Sequence, residues 1–580
     1  MRKFKWVKSL VSKPDFWPIV IVLFFGLLAG KGLIGSGYFN MHDDLQLMRQ
    51  LEMEKCFLDG QIPCRWVPDM GYGFGYPLFN FYPPLPYLVG EAVRLFGFTF
   101  ISTAKILFIF SFLASGVTMY YLTREFFGKF GAVVSSIFYI WAPYHAVDVY
   151  VRGAMNEAWA LIWFPAILYF SYKLIKSPTS HKASRDTTWL WVIGLSMSWF
   201  ALFTSHNLMV LVFSPFFAVW CLIWLYRFKS WKRIPSLLIS GAWSFGLAAF
   251  FTLPVLLEKG IVQTDTLVVG YYEYTAHFAD ISQLLFSRFW GYGPSVWGSV
   301  DDRMSFQVGW IHWILPLVIL VLIIRKFKND KKLGDVLVAV LFFFVVGWFA
   351  AFLAHSRSTP IWKLIEAFQF VQFPWRFLTI VILAFSFIAG SVTKLLPKSI
   401  HVPLSILLVA GVLIYSFNYF LPEHGHLGPL TDEEKFSNAA WELQQTAGIY
   451  DYLPNTAKTA PKAPMTELAE IIDGEGEVSS EELGTNWAKF SIDLPEDSKV
   501  RVGILQFPNW TAYVDGNEID TYVDDKEQWG RIYIDVPKGS HDVELKLYNT
   551  PVRTLGNWIS VLSWGVLLFV VLPKLRNGKI

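Results

Sequence analysis

Apolar residues in this chain come in long runs separated by short polar stretches. The runs lie near 16–36, 101–123, 131–149, 157–176, 188–205, 207–226, 236–257, 307–325, 335–354, 376–394, 402–420 and 554–573. Each is close to the ~20 residues that a helix needs to cross hydrocarbon. The pattern predicts about twelve transmembrane helices. A further apolar stretch, Pro84 to Gly97, is too short to span. Glu91 and Arg94 fall on one helical face of it, and Leu88, Ala92 and Leu95 on another. With Pro84 at its start and Gly97 at its end, it predicts a helix lying in the membrane interface. Between 421 and 553 the pattern changes. A polar helix is expected around Asp432–Gln445. Beyond it, Lys499–Leu505, Arg531–Val536 and His541–Tyr548 alternate with a period of two, and turns are marked at Val514–Asn517 and Pro537–Ser540. Short alternating strands predict a small β-sandwich. The expected organisation is a membrane domain over 1–420 with a large first loop at 37–100, a mostly-β domain over 421–553, and a final helix and tail over 554–580.

Composition strengthens the membrane assignment. The 580 residues are 54% hydrophobic and 16% charged, against roughly 25% charged in soluble proteins, and the mean hydropathy is +0.40. The fold class expected is a polytopic α-helical membrane protein with a C-terminal extracytoplasmic β-sandwich. A net charge of +3 is too small to suggest nucleic acid as a partner. Lys and Arg gather in alternate connections: Arg2 to Lys8, Arg124 and Lys129, Lys173 to Arg185, Arg227 to Arg233, Arg325 to Lys332, Lys394 and Lys398, and Lys574 to Lys579. With twelve spans all of these fall on one side, which predicts cytoplasmic termini in the plasma membrane. The loops 37–100, 258–306, 355–375 and 421–553 are then extracytoplasmic, where nucleotide-activated substrates are scarce. The basic N-terminus precedes an apolar run without a small-residue cleavage site, as in a retained anchor. Cys56 and Cys64 share the first loop, either bridged or as two thiols. Cys221 lies inside an apolar run and reads as a core residue.

Candidate chemistry begins at His42-Asp43-Asp44, just past the first run, because carboxylates at a bilayer boundary are costly to desolvate. Asp43 with Gln46 also fits a capping box for a helix reaching about Leu58, which leaves Asp44 the better candidate base. A second acid, Glu157, follows Arg152 in Val151–Ala158. Arg376 stands beside Trp375 at the mouth of a spanning helix, where a guanidinium can reach a headgroup phosphate. Arg288, Arg303 and Lys363 are further cations on the same face. His145, and His206 with Asn207, fit structural hydrogen bonding or substrate contact equally in type. Asp301-Asp302-Arg303 reads most simply as a solvated loop. Asp43, Asp44 and Glu157, with His42, are candidate ligands for a divalent cation, Mg or Mn. Gly71, Gly73 and Gly75 lack the preceding strand and following helix of a dinucleotide fingerprint. Tyr72, Phe74 and Tyr76 between them read first as an ordered aromatic loop, and second as a sugar-stacking surface.

The stretch Leu58–Trp66, followed by Gly71-Tyr-Gly-Phe-Gly-Tyr-Pro-Leu-Phe-Asn-Phe-Tyr-Pro-Pro-Leu-Pro-Tyr, resembles bacterial membrane proteins described as 6-pyruvoyl-tetrahydropterin synthase-related. Nothing in these residues suggests pterin chemistry. Phe507-Pro-Asn-Trp-Thr-Ala-Tyr-Val-Asp-Gly, with Val536-Pro-Lys-Gly-Ser-His, is similar to the end of YfhO-like membrane proteins. Both groups resemble the GT-C glycosyltransferase superfamily. The resemblance implies transfer of a sugar from a polyprenyl-phosphate carrier to an extracytoplasmic glycan, lipid or protein acceptor. It implies that Asp43 or Asp44 assists the acceptor and that Glu157 is the second acid, here Glu where many relatives have Asp. Arg152, Arg376, Trp375, His42, His145 and His206 are then candidates for substrate binding. Two other classes stay open: a non-catalytic protein that binds or translocates a lipid-linked saccharide, and a structural envelope protein.

Overall fold

The computed structural model describes residues 13–178, 182–296, 302–327, 334–423 and 430–576. Arg2, Lys3, Lys5, Lys8 and Asp301 lie outside the described residues. Contacts divide the chain into two units, each discontinuous in sequence: Met1–Asp44, Ile101–Ser244 and Val268–Leu430 in the first, and Leu45–Phe100, Phe245–Leu267 and Thr431–Ile580 in the second. The divisions at 420 and 553 that the patterning predicts are therefore not those of the contacts.

The protein is a helical multi-pass membrane protein. Among the described residues nine helices are long and apolar enough to cross a membrane. A tenth is added if the pair Trp231–Leu247 and Ala249–Leu257, bent by 84°, is one span. The apolar runs predict twelve, and the difference has two local causes. The runs at 101–123 and 131–149 share the stretch Phe100–Ile140, in which two helices meet directly at Gly128, whose backbone is not helical, and the second ends ahead of Pro143. The run at 307–325 gives a shorter apolar helix, Trp310–Arg325.

In the first unit, the helix leg after Gly128 lies directly against Pro374–Leu395. A Cβ on Gly131 would stand 2.7 Å from the Gly390 carbonyl oxygen, so neither position has room for a side chain. Ser135 locks the contact: its Oγ donates to the Phe387 carbonyl and accepts from the Gly390 N–H, each at 3.1 Å. Pro143 then ends the leg, because its nitrogen has no hydrogen for the Tyr139 carbonyl four residues back. His145 Nδ1 supplies that hydrogen bond at 3.2 Å, and His312 Nε2 donates to the neighbouring Phe138 carbonyl at 3.0 Å.

The second unit holds the β-domain. A three-stranded sheet runs β1(Ala469–Asp473)-β4(Ser498–Leu505)-β7(Arg531–Val536). A five-stranded sheet runs β2(Glu477–Leu483)-β3(Trp487–Leu494)-β8(Gly539–Leu547)-β5(Trp510–Val514)-β6(Asn517–Ile519). Every pairing is antiparallel. The alternating segments predicted as strands are β4, β7 and β8. Their inward residues, Val500, Val502, Ile532, Ile534, Val543 and Leu545, share one core with Phe490 and Ile492, as a sandwich requires. Trp66, Phe74 and Phe81 of the first large loop enter the same core, so the aromatic loop is structural packing. Cys56 and Cys64 form a disulfide.

The predicted short helix is Leu85–Arg94, with Pro84 at its N-cap. Its Arg94 pairs with Glu54 at 2.6 Å, and its Glu91 accepts from the Gln50 amide. The helix after the acidic pair is Gln46–Leu58, with Leu45 at its N-cap and no side-chain cap. The helix thus starts two residues later than a capping box at Asp43 would place it.

Where the chain bends by 84°, Ser560 has entered the helical ladder. The Phe250 N–H donates to Ser560 Oγ at 2.8 Å, and Ser560 Oγ donates to the Gly246 carbonyl at 3.2 Å. The Phe250 carbonyl loses its usual donor to Pro254, and Arg65 Nη2 replaces it at 3.0 Å.

Two outcomes follow for stability in detergent, read as the midpoint of thermal unfolding. Gly75 has φ +84, and a Cβ there would lie 2.3 Å from the Trp66 indole nitrogen. Gly75→Ala should cost about 2–4 kcal/mol from strain and displaced packing; an unchanged midpoint would show that the loop does not hold Trp66. Burial pushes the Glu91 carboxyl up to about 7, against the Gln50 hydrogen bond. A carboxyl raised from 4.5 stabilises the fold fully below pH 4.5 and loses that contribution as pH rises through 7. Glu91→Gln should therefore melt higher than the parent at pH 8, by on the order of 1 kcal/mol after allowance for partial exposure, and lose the advantage at pH 5.

Candidate functional site

After Pro143 the chain makes a short turn of helix, Pro143–Ala146, then a π-helical turn, Val147–Val151, before the long helix Met155–Lys176 begins. The wider turn carries Tyr144, Asp148, Arg152 and Glu157 into one buried group in the first unit. π-Turns of this kind are rare and concentrate at functional sites.

Glu157 is the hub. Its Oε1 accepts from the Tyr144 hydroxyl at 2.7 Å. Its Oε2 lies 2.9 Å from Arg152 Nη1 and 3.3 Å from Arg376 Nε. Arg152 Nη1 also reaches Asp148 Oδ1 at 2.5 Å and the Tyr144 hydroxyl at 3.3 Å. Arg376 is held from behind, donating to the Val371 carbonyl at 2.8 Å and to Gln372 Oε1 at 3.0 Å. Aromatic rings cover the cations. The Arg152 guanidinium lies 4.6 Å from the Trp375 ring centre, and Trp375 stacks between Phe373 and Phe306 at 4.8 and 5.7 Å. Charges this deeply buried persist only when paired.

Burial pushes the Asp148 carboxyl well above the usual carboxylate range, Glu157 adds to the effect, and Arg152 opposes it. Burial works against the Arg152 guanidinium, but Glu157, Tyr144 and Asp148 outweigh it and hold its pKa above the ordinary arginine value. His206 stands in the extended break between Lys182–Ser205 and Asn207–Phe228. Burial, then Arg376, lower its pKa to about 3, so the ring is neutral at ordinary pH. Two permanent cations thus face two carboxylates that repel one another, and burial with Glu157 presses Asp148 toward its neutral form.

Of the residues singled out from sequence, Arg152, Glu157, Arg376, Trp375 and His206 come together here. Asp43 touches the group through its backbone. The N–H of Asp43 donates to the Arg152 carbonyl at 2.8 Å, and that of His42 to the Val151 carbonyl at 3.1 Å. The His42 ring turns to the Tyr292 carbonyl, 2.8 Å away. His145 lies apart, consumed by the carbonyl that Pro143 frees, and is structural. Arg288 stacks over Tyr415 at 4.6 Å, outside the group. Asp302 takes a local role, accepting from the Val296 N–H at 2.9 Å. Asp148, Tyr144 and Gln372 belong to the group and were not among the sequence candidates; the i,i+4 spacing of Asp148 and Arg152 is the signal that marks the first. Among the described residues no group of three His, Cys, Asp or Glu side chains is placed to hold a metal ion. Glu157, already shared by two guanidiniums, does not fit as a divalent-cation ligand with Asp43 and Asp44.

No family model matches this chain, and no curated protein matches it. Among solved structures it is similar to ArnT from Cupriavidus metallidurans bound to undecaprenyl phosphate: 15% identity, 69% of this chain and 64% of that one, TM-score 0.41. It is similar to the arabinofuranosyltransferase AftD from Mycobacteria at 13% identity, over 70% of this chain and 27% of that one, TM-score 0.41. It is similar to the Archaeoglobus fulgidus oligosaccharyltransferase in its apo form at 11% identity, over 79% and 62%, TM-score 0.40. The chain spans less than two thirds of the length of each of these.

Removing the hub should be costly. Glu157→Leu leaves Arg376 without a carboxylate and Arg152 with Asp148 alone, and the expected loss is about 3–5 kcal/mol, seen as a lower unfolding midpoint of the purified protein. Glu157→Gln, which keeps an acceptor for Tyr144, should lose less. Equal midpoints for parent and Glu157→Leu would mean that the cations do not depend on Glu157.

Proposed function

We propose that this protein is a membrane glycosyltransferase of the GT-C type, moving a sugar from a polyprenyl-phosphate carrier to an extracytoplasmic acceptor in envelope glycan or glycolipid synthesis. The observation that carries the reading is the hydrogen bond between the Asp43 N–H and the Arg152 carbonyl, 2.8 Å. The bond ties the backbone beside the acidic pair to the backbone of Arg152, which supports a reading in which a base and an anion-binding group serve one reaction. The resemblance of 58–87 and 507–541 to YfhO-like and related membrane proteins points the same way.

In this reading the acceptor hydroxyl loses its proton to the Asp44 or Asp43 carboxylate as its oxygen attacks the anomeric carbon. The bond from that carbon to the phosphate oxygen breaks, and the polyprenyl phosphate leaves with the electron pair. Arg376 meets the developing charge, and Arg152 supports it through the shared Glu157. Glu157 itself, occupied on both oxygens, positions the cations and is not a base. Trp375 with Phe373 offers a face for the sugar or the carrier. A second reading, binding or translocation of a lipid-linked saccharide without transfer, draws on that same saturation of Glu157.

The test is transfer from a lipid-linked sugar in membranes carrying single variants. Loss of one base should lower the rate about 10²–10⁴-fold, so Asp43→Asn or Asp44→Asn should be severely impaired. Arg376→Met should lose about 10²–10³-fold. Full transfer by both Asn variants would remove the base assignment. Passage of labelled lipid across proteoliposomes, with no transfer, would favour the second reading.

A further inference from the structure

The second unit buries a group of charges that the reaction above does not use. Arg65 follows a turn in which Gln61 Oε1 accepts from the N–H groups of Arg65 and Trp66, at 2.7 and 3.0 Å. Its Nη1 donates to Asn80 Oδ1 at 3.1 Å, and its Nη2 to Asn557 Oδ1 at 2.7 Å. Arg553 Nε donates to Glu258 Oε2 at 2.8 Å, and Thr550 donates to Glu258 Oε1. Two guanidiniums therefore answer to one carboxylate, a surplus of one positive charge in a buried place.

The hydrogen bonding has the same imbalance. Both Glu258 oxygens and the side-chain oxygens of Asn80 and Asn557 are taken. Left without partners are Arg65 Nε, Asn80 Nδ2 and Arg553 Nη2. All three are donors, and all three side chains are more than nine-tenths buried. Burial, then the charge of Arg553, push the Arg65 guanidinium down to about 9. The Pro551–Arg576 helix starts beside the group, with the Arg553 N–H donating to Thr550 Oγ1 at 3.2 Å, and its N-terminal dipole adds positive potential. Leu555, Trp558 and Leu562 of this helix, and Leu256 and Leu257, are exposed. That is an apolar surface of the kind that faces lipid.

We propose that Arg65, Asn80 and Arg553 form a binding site for a phosphate oxyanion, carried by a membrane lipid or free in solution. A tetrahedral oxyanion presents several acceptor oxygens at once, matches the planar fork of a guanidinium, and cancels the surplus charge. The site belongs to the second unit and stands independently of the transfer reaction.

The whole chain, purified in phosphate-free detergent buffer, is melted with inorganic phosphate and with chloride at equal ionic strength. It is also melted in lipid discs with and without phosphatidic acid. The expected result is a saturable rise of the midpoint by at least about 2 °C with a phosphate source and none with chloride. A rise with inorganic phosphate assigns the soluble ion, and a rise only with phosphatidic acid assigns the lipid. Asn80→Asp places a carboxylate against Arg65. This variant should melt higher than the parent without phosphate and lose the phosphate-dependent rise. Asn557→Asp adds the same charge from the other side and serves if the first variant does not accumulate. Identical midpoints in every arm, or a carboxylate variant that keeps the full rise, overturns the site.

Discussion

A peptide group freed from its helix inside an apolar surrounding has no water to turn to, and most of what is distinctive in this protein answers that constraint. Pro143 frees the Tyr139 carbonyl, and His145 takes it. Pro254 frees the Phe250 carbonyl, and Arg65 takes it. The gap between Gly246 and Phe250 is filled by a hydroxyl from Ser560. A side chain, local in the case of His145 and distant in sequence in the other two, completes each ladder that proline or bending has opened. The bends can then be sharp, and sharp bends bring polar side chains to the ends of apolar helices.

The ion group in the first unit is built on one such bend. Without Pro143 and the wide turn behind it, the helix would continue; Tyr144, Asp148 and Arg152, four residues apart, would share one face, but Glu157 would fall off it. The extra residue in the turn aligns them with Glu157 at the start of the next helix. Arg376 arrives on a helix seated by the contact between Gly131 and Gly390, where Ser135 fixes the register. The position of the guanidinium thus depends on two glycines and a serine far along the helices from it. Aromatic cover from Trp375, Phe373 and Phe306 keeps water from screening the cations, which preserves their pull on an anion.

Much of this is legible in the sequence, because hydrophobic period is a strong local signal. The spanning segments, the short Leu85–Arg94 helix and the alternating strands β4, β7 and β8 all follow from it. Arg152, Glu157, Arg376, Trp375 and His206 also stand out, as polar residues beside apolar runs. The sequence hides what depends on helix phase and on distant partners. Asp148 looks like one more loop acid until a π-turn sets it opposite Arg152. His145 looks like a ligand until Pro143 is seen to need it. Gln46 suggests a cap for Asp43, yet the helix begins only after Leu45. The count of spans differs where two helices meet at Gly128 with no loop between them, and where Trp310–Arg325 stays short. Apolar composition fixes which segments avoid water, but not how many residues of each remain helical.

The Ser560 bridge also has a consequence for synthesis. Residues 231–257 leave the ribosome some three hundred residues before the hydroxyl that their bend requires. Until the Pro551–Arg576 helix inserts, the Phe250 N–H and the Gly246 carbonyl have no partner from it. The segment must wait as a straighter helix or with water in the gap. Maturation of the second unit therefore waits on a helix made some three hundred residues later, and chains truncated before it would carry an unfinished bend in the bilayer.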